Sequence, residues 1–172
     1  MEESLYPVPS VEPLELAEAC VNLLRQQELT VTTAESCTGG LLSSHLVDVP
    51  GVSEVFQEGY ITYSNKAKRR LINVSKATLK KYGAVSRQTA REMAIGAVFA
   101  ANADISVSVT GIAGPDGGSE EKPVGLVFIG CYMNDQVTVE EHRFSGKRAE
   151  IRMQAVYAAL RLLYATLREN LE

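Results

Sequence analysis

Histidine, cysteine and long apolar runs are all scarce in this 172-residue sequence, and each scarcity narrows the possible functions. The three cysteines, Cys20, Cys37 and Cys131, form neither a disulfide framework nor a metal-ligand spacing, so we expect reduced thiols and a cytoplasmic protein. No apolar run reaches the ~18 residues of a membrane span, which argues against a membrane protein. The first four residues, MEES, are acidic and lack the apolar stretch of a signal peptide.

An excess of positive charge is also missing. Lys and Arg total 17 against 21 Asp and Glu, and the net charge is −4. Nucleic-acid-binding proteins usually carry a basic face, so we expect no nucleic-acid partner. The one basic run, at residues 66–70, is typical of a solvated helix face. The length suits one domain over 1–172, with the proline-bearing residues 1–12 as an irregular lead-in.

Apolar residues recur at helical spacing in some segments and in short β-branched runs in others. The pattern predicts helices over 14–27, 41–47, 65–71, 75–82 and 86–101, and from 146 onward. It predicts strands over 29–33, 55–63, 105–109, 126–132 and 136–144. Ser86 suits an N-cap, and residues 133–135 suit a hairpin turn. Strands that alternate with helices predict a layered α/β domain with a largely parallel sheet, which the final hairpin makes mixed.

The first motif with chemical potential is AESCTGG, residues 34–40, between a predicted strand and a predicted helix. Ligands of open α/β sheets collect beyond the carboxyl ends of strands, and a helix N-terminus offers free N–H groups. Ser36 could therefore attack a carbonyl while the amides of Thr38, Gly39 and Gly40 hold the oxyanion. The alternative is that Ser36 and Thr38 only cap the helix, as these residue types commonly do.

The second motif, YSNKAK at residues 63–68, follows the next predicted strand. A serine nucleophile needs a base, and neither His45 nor His142 lies in either motif. A lysine can serve instead if burial or a neighbouring cation lowers its pKa, which makes Lys66 and Lys68 candidates. The alternative for each is an ordinary solvent-exposed lysine.

Two later segments could contact a substrate. The glycine-rich loop TGIAGPDGG, residues 110–118, could hold a phosphate or ribose with its amides, although it lacks the spacing of known nucleotide-binding motifs. In FSGKR, residues 144–148, Arg148 opens the last helix and could pair with an anionic group, with Arg152 one turn further on. A functionless loop and solvent-exposed arginines are the corresponding alternatives.

Taken together, AESCTGG, YSNKAK, VTGIAGPDGG with the following EEKPVGLV, and FSGKR resemble the CinA carboxy-terminal domain family over about residues 14–168. The resemblance implies a three-layer α/β/α sandwich around a mixed, mostly parallel sheet. It also implies an amidase that deamidates nicotinamide mononucleotide (NMN) to nicotinic acid mononucleotide and ammonia. Ser/Lys chemistry of this kind needs no metal or other cofactor.

The resemblance also implies residue roles by motif position. Ser36 matches the family's nucleophile, Lys68 its base and Tyr63 an assisting tyrosine. Thr110 and Arg148 match positions around the substrate. We expect the phosphate to be held mainly by Arg148 and by backbone amides of the glycine segments, that is, of Gly39, Gly40, Gly111 and Gly114.

Other readings stay open at this point. A non-catalytic nucleotide-binding or regulatory paralogue could keep the same motifs, and an amidase could act on a different amide. Cys37 is a second possible nucleophile, although no base is evident for it. We expect a small-molecule nucleotide substrate and a homo-oligomer, most simply a dimer.

Overall fold

The computed structural model describes residues 12–171, within which six α-helices, one short 3-10 helix (Val52–Glu54) and five strands are assigned. The helices are α1 (Pro13–Gln26), α2 (Leu41–Val47), α3 (Asn65–Ile72), α4 (Lys76–Tyr82), α5 (Arg87–Ala101) and α6 (Arg148–Glu169). The strands are β1 (Val31–Glu35), β2 (Tyr60–Ile61), β3 (Ile105–Gly111), β4 (Leu126–Met133) and β5 (Gln136–Arg143). The lead-in predicted for residues 1–12 lies, apart from Glu12, outside the described residues.

The strands form one sheet in the order β2-β1-β3-β4-β5. β1 pairs in parallel with both β2 and β3, whereas the β3–β4 and β4–β5 pairs are antiparallel. Among the described strands only β4 therefore runs against the others, and the predicted mixed sheet is confirmed. Because β1, β2 and β3 are parallel, the segments that follow them meet at one edge of the sheet.

Helices cover both faces of the sheet. The larger core cluster joins α1, α2 and α6 to one face, on which the side chains of Val107 and Val109 lie. The opposite face packs against α3, α4 and α5. There the hydroxyls of Ser106 and Ser108 donate to carbonyls of α5, at Ala94 (2.5 Å) and Ala90 (2.7 Å). The expected three-layer α/β/α sandwich is confirmed.

Two predicted strands differ from the structure. The first is predicted over 29–33, but β1 covers Val31–Glu35, so both of its ends lie two residues later. It does not begin earlier because the amide and hydroxyl of Thr30 both donate to Asp104 Oδ2. The second was expected over 55–63, but only the two residues of β2 and one bridge from Phe56 to Val31 are present. This segment lies at the edge of the sheet, where the Glu58 carbonyl accepts from the side chain of Thr32 and not from a strand backbone.

The predicted local signals at helix starts and at the hairpin are confirmed. Ser86 is the N-cap of α5, and its hydroxyl accepts a hydrogen bond from the Thr89 amide. The β4–β5 turn places Asn134 and Asp135 at φ +51° and +59°, the left-handed conformation that two-residue hairpin loops require. The antiparallel pair thereby adds to the parallel strands without disturbing the edge where the motifs meet.

Candidate active site

The carboxyl edge of the parallel strands brings three of the motifs together. Glu35 at the end of β1 is in register with Ile61 of β2 and with Val109 of β3, so Ser36 lies between the segments that follow those strands. A cavity of about 280 Å³ opens at this edge, just below the range of roughly 300–1,000 Å³ typical of small-molecule pockets. Its wall includes Ser36, Cys37, Tyr63, Lys68, Thr110 and Arg148.

A lysine and a serine form the centre of this cavity. The Nζ atom of Lys68 lies 2.9 Å from Ser36 Oγ and donates to the Thr62 carbonyl at 2.7 Å. Lys68 is only 1% exposed and Ser36 only 8%. The Thr62 carbonyl can only accept, so it holds one amine proton and fixes the direction of the amine. A neutral Lys68 can then accept the Ser36 hydroxyl proton.

The local sequence explains why this lysine is buried. Ser64 caps α3 by accepting from the Ala67 amide, and Lys68 follows within the first turns. Lys66 and the two arginines after Lys68 point to solvent, whereas Lys68 points inward with Ile72. The expectation of a solvated basic face is therefore right for its neighbours and wrong for Lys68.

Burial lowers the pKa of Lys68 from 10.5 to about 8, and the neighbouring Cys37 thiol acts weakly in the opposite direction. Burial disfavours the charged ammonium, and neither of the nearby cations Lys66 and Arg148 is among the causes of the lowered pKa. At pH 8 about half of the molecules would carry Lys68 as the free amine, which is the form that a general base requires.

Cys37 shares the cavity but is chemically less suited to attack. Burial raises the pKa of its thiol to about 11, even though the charges of Arg152 and Lys68 favour the thiolate. The thiolate is the nucleophilic form of cysteine, and little of it exists near neutral pH at such a pKa. Ser36, by contrast, has a base within hydrogen-bond distance.

Arg148 spans the mouth of the cavity. One guanidinium nitrogen, Nη1, donates to the Gly114 carbonyl at 2.6 Å, and Nη2 donates to the Tyr63 hydroxyl at 3.1 Å. Tyr63 is 63% exposed, and the structure records no hydrogen bond from its hydroxyl to Ser36 or Lys68. The phenol accepts from Arg148, so its own proton stays available to a group in the cavity.

The end of β3 and the loop that follows it supply much of the opposite wall. Thr110 is buried and its hydroxyl donates to the Ala84 carbonyl at 2.8 Å. Gly111 has no room for a side chain, because a Cβ atom there would lie 2.6 Å from Val127 Cγ2. Gly114 adopts φ +75°, which favours glycine. The predicted residues Thr110, Gly111 and Gly114 all line the cavity.

Thr38, Gly39 and Gly40 lie behind the cavity and do not form its wall. The Gly39 amide donates to the Ser36 carbonyl at 3.0 Å, so it is not free for a ligand. The N-terminus of α2 is occupied as well, because the buried carboxylate of Glu35 accepts from the amides of Leu42 (2.9 Å) and Ser43 (3.0 Å). Of the three residues expected at an oxyanion site, Gly39 thus has its amide occupied, whereas the Thr38 and Gly40 amides make no recorded backbone hydrogen bond but do not line the cavity.

The other candidate bases and sites lie elsewhere. His45 Nδ1 pairs with the Leu41 carbonyl, and His142 pairs with Glu140 on β5. Within residues 12–171, no three His, Cys, Asp or Glu side chains are grouped to hold a metal ion. No helix in that range is both long and apolar enough to cross a membrane. A second cavity of about 290 Å³, beside Phe99 and Tyr132 at the far end of the sheet, contains none of the predicted site residues.

Comparison with known proteins agrees with the fold and the motifs. A family model described as the CinA C-terminal domain matches residues 14–167. The CinA-like protein of Kosmotoga olearia is 54% identical over 145 residues, which cover 84% of this chain. This chain belongs to the CinA C-terminal domain family. It spans only 35% and 38% of the length of two curated relatives that it matches, those of K. olearia and Clostridium beijerinckii.

Solved structures resemble this CinA domain over nearly their whole length. The competence/damage inducible protein CihA of Agrobacterium tumefaciens is 45% identical, with a TM-score of 0.88, and the match covers 96% of this chain and 99% of that one. A CinA superfamily protein of Enterobacter cloacae is 34% identical, with a TM-score of 0.89, and the match covers 97% and 99%. The described fold is therefore that of solved CinA-family domains.

Sequence reasoning missed several residues of the site in this CinA domain. Ala84 and Val85, directly before the N-cap Ser86, line the cavity, and so does Asp116. Their position directly before a helix start was a usable signal of a binding site, but the side chains of alanine and valine have no reactive or hydrogen-bonding group that would indicate one. Glu35 belongs to AESCTGG, but nothing in that motif indicates that its carboxylate binds the first amides of α2.

Proposed function

We propose that this CinA domain is an amidohydrolase in which Ser36 is the nucleophile and Lys68 the general base. The observation that carries the proposal is the 2.9 Å contact between Lys68 Nζ and Ser36 Oγ inside a cavity. The lowered pKa of Lys68, about 8, supports it, because the free amine is accessible near neutral pH. Serine and lysine together form a nucleophile and base that need neither histidine nor metal.

The reaction proceeds in two stages. Neutral Lys68 takes the hydroxyl proton as Ser36 Oγ attacks the carboxamide carbon, giving a tetrahedral oxyanion. The proton then passes to the amide nitrogen, with help from the Tyr63 hydroxyl on the cavity wall. The C–N bond breaks, ammonia departs, and the acyl group remains as an ester on Ser36. Lys68 next removes a proton from water, which attacks the ester, and the proton returns to Ser36 as the acid departs.

Cys37 is a better placed oxyanion donor than Thr38, Gly39 and Gly40, because of these four residues only Cys37 lines the cavity. The Cys37 amide follows the nucleophile directly and makes no recorded hydrogen bond to another described backbone group. An amide in this position is a common oxyanion donor in serine hydrolases. We therefore assign the oxyanion to this end of the cavity and give Thr38, Gly39 and Gly40 the role of shaping the turn that presents Ser36.

The proposed substrate is NMN, which would be converted to nicotinic acid mononucleotide and ammonia. The family resemblance supplies this identity, and the cavity supports it with a cation, Arg148, at its mouth for the phosphate. Thr110, Gly111 and Gly114 would contact the sugar and phosphate along the opposite wall. A cytoplasmic location and a homodimer belong to the same proposal.

The test is ammonia release from NMN by the purified protein, compared with Ser36→Ala. Ser44→Ala, on the exposed side of α2, is the matched control. We expect the wild type and Ser44→Ala to release ammonia and Ser36→Ala to be inactive but folded. If the wild type binds NMN without releasing ammonia, the protein is a non-catalytic nucleotide-binding paralogue. Equal rates with the phosphate-free riboside would point to another amide as substrate.

A further inference from the structure

Arg152 of α6 binds the backbone directly behind the nucleophile. Its Nε donates to the Cys37 carbonyl at 3.0 Å and its Nη2 donates to the Thr38 carbonyl at 2.7 Å. Arg152 lies one helical turn after Arg148, so both arginines project from the same side of α6. Arg148 reaches the mouth of the cavity, whereas Arg152 reaches the turn from which Ser36 projects.

The other hydrogen bonds of this turn show which peptide groups depend on Arg152. The Ser36 amide is held by the Val109 carbonyl at 2.9 Å, and the Ser36 carbonyl by the Gly39 amide at 3.0 Å. The next two carbonyls, of Cys37 and Thr38, are the ones that Arg152 binds. Both ends of the turn are thus fixed, and Arg152 sets the orientation of the peptide groups between them.

The charge of Arg152 is not used in an ion pair within the described residues. No carboxylate in residues 12–171 lies within 4.0 Å of its guanidinium, and the nearby Glu35 carboxylate is committed to the α2 amides. A neutral donor could satisfy a carbonyl without the cost of partly burying a charge. The field of Arg152 reaches the cavity, where it favours the thiolate of Cys37 against the larger effect of burial.

We propose that Arg152 is a positioning residue for Ser36. By fixing the peptide groups of Cys37 and Thr38, it holds Ser36 Oγ against Lys68 and keeps a positive charge behind the amide that faces the oxyanion. A cation also polarises the peptide groups that accept from it. The Gly39 N–H shares a peptide group with the Thr38 carbonyl and donates to the Ser36 carbonyl, so the polarisation passes on to the Cys37 N–H. This role rests on the serine chemistry proposed above.

The first test compares steady-state NMN hydrolysis by Arg152→Gln and Arg152→Lys, with Arg168→Gln, exposed on the same helix, as the control. We expect kcat of Arg152→Gln to fall roughly 10- to 100-fold with KM nearly unchanged, as when part of an oxyanion environment is lost. Arg152→Lys keeps the charge but not both hydrogen bonds, so its kcat should lie between that of the wild type and that of Arg152→Gln. A raised KM at unchanged kcat would make Arg152 a substrate ligand and overturn the proposal.

The second test does not depend on NMN. A fluorophosphonate probe forms a P–O bond with an activated serine and expels fluoride, and intact-mass and peptide mass spectrometry report the rate and site. We expect the wild type and Arg168→Gln to be labelled at Ser36, and Arg152→Gln to react roughly 10- to 100-fold more slowly. Melting temperatures show that each variant is folded, and Arg152→Lys replaces Arg152→Gln if the latter is not.

The two proposals fail in different ways in this experiment. Wild-type protein that is not labelled at Ser36 would overturn the serine mechanism, and the role of Arg152 with it. Rapid labelling of the wild type together with equally rapid labelling of the folded Arg152 variants would overturn the role of Arg152 alone. Slow labelling restored to the wild-type rate by added ethylguanidinium in an Arg152→Ala protein would support it further.

Discussion

Lys68 Nζ and Ser36 Oγ are 2.9 Å apart although 32 residues separate them in the chain. Two parallel strands, β1 and β2, make this contact possible, because they are paired with each other. Ser36 directly follows β1, and Lys68 lies in α3, the helix that follows β2. The amine is buried with only a serine hydroxyl and a backbone carbonyl as recorded partners. Such an environment favours the neutral amine and explains how a protein with two histidines can supply a base.

Tyr63 and Arg148 have separable roles that substitution can distinguish. Tyr63→Phe removes the hydroxyl that would pass a proton to the departing nitrogen, so we expect kcat to fall roughly 10- to 100-fold with little change in KM.

Arg148→Gln removes the cation at the mouth of the cavity, so KM for NMN should rise by roughly 10-fold or more. Steady-state kinetics on NMN and on its phosphate-free riboside measure both effects.

The riboside is the internal control for Arg148, because it lacks the group that the guanidinium would bind. Arg148→Gln should change KM for the riboside only slightly. If Tyr63→Phe raises KM and leaves kcat intact, Tyr63 serves only as an anchor for Arg148. A similar loss of NMN and riboside affinity in Arg148→Gln would contradict phosphate recognition by this residue.

The buried amine should also make stability depend on pH. The pKa of Lys68 is about 8 in the folded protein against 10.5 as its ordinary value, so the unfolded chain binds more protons between those pH values. The contribution of Lys68 to the free energy of unfolding therefore rises with pH across that window. It is lowest below about pH 8, where the buried amine must be protonated in the folded protein as well. Relative to Lys68→Met, which has no such titration, the wild type should gain on the order of 2–3 kcal/mol from pH 7.5 to 10.5.

Urea unfolding of both proteins over this range measures the difference, and all other titrating groups cancel in it. A free energy difference that stays constant with pH would mean that Lys68 keeps its ordinary pKa. Lys68→Met should also be inactive at every pH. Below about pH 8 it should be more stable than the wild type, because it buries no charge, so one substitution would raise stability and abolish activity.

Chelators should leave the activity unchanged. Residues 12–171 contain no group of three His, Cys, Asp or Glu side chains suited to a metal ion, and the Ser36 and Lys68 pair requires none. Dialysis against EDTA followed by the ammonia assay is the measurement. Activity that is lost on dialysis and restored by a divalent cation would contradict a metal-free mechanism.

The sequence was most informative where a signal is local. The N-cap at Ser86 and the hairpin turn at Asn134 and Asp135 depend on nearby residues, and both are confirmed. The two-residue length of β2 was not predictable, because β-branched composition does not show that the segment lies at a sheet edge.

The site was predictable as a set of motifs but not as a set of contacts. The motif YSNKAK contains two lysines, and only the fold shows that Lys68 is buried and Lys66 exposed. The helix N-terminus after Ser36 suggested an oxyanion site, yet the Glu35 carboxylate from the same motif accepts from the helix amides of Leu42 and Ser43. Arg152 contacts residues more than 110 positions away, so no local pattern could reveal its partners.

The most direct measurement of the central claim is the pH dependence of NMN hydrolysis by the wild type, Lys68→Arg and Lys66→Arg. Lys66 is the matched control, since it is an exposed lysine two residues away. The account predicts that the wild-type and Lys66→Arg rates rise through an apparent pKa of about 8, the pKa of Lys68, while Lys68→Arg is nearly inactive because a guanidinium does not deprotonate. A Lys68→Arg protein that keeps most of its activity, with the same pH profile as the wild type, would contradict it.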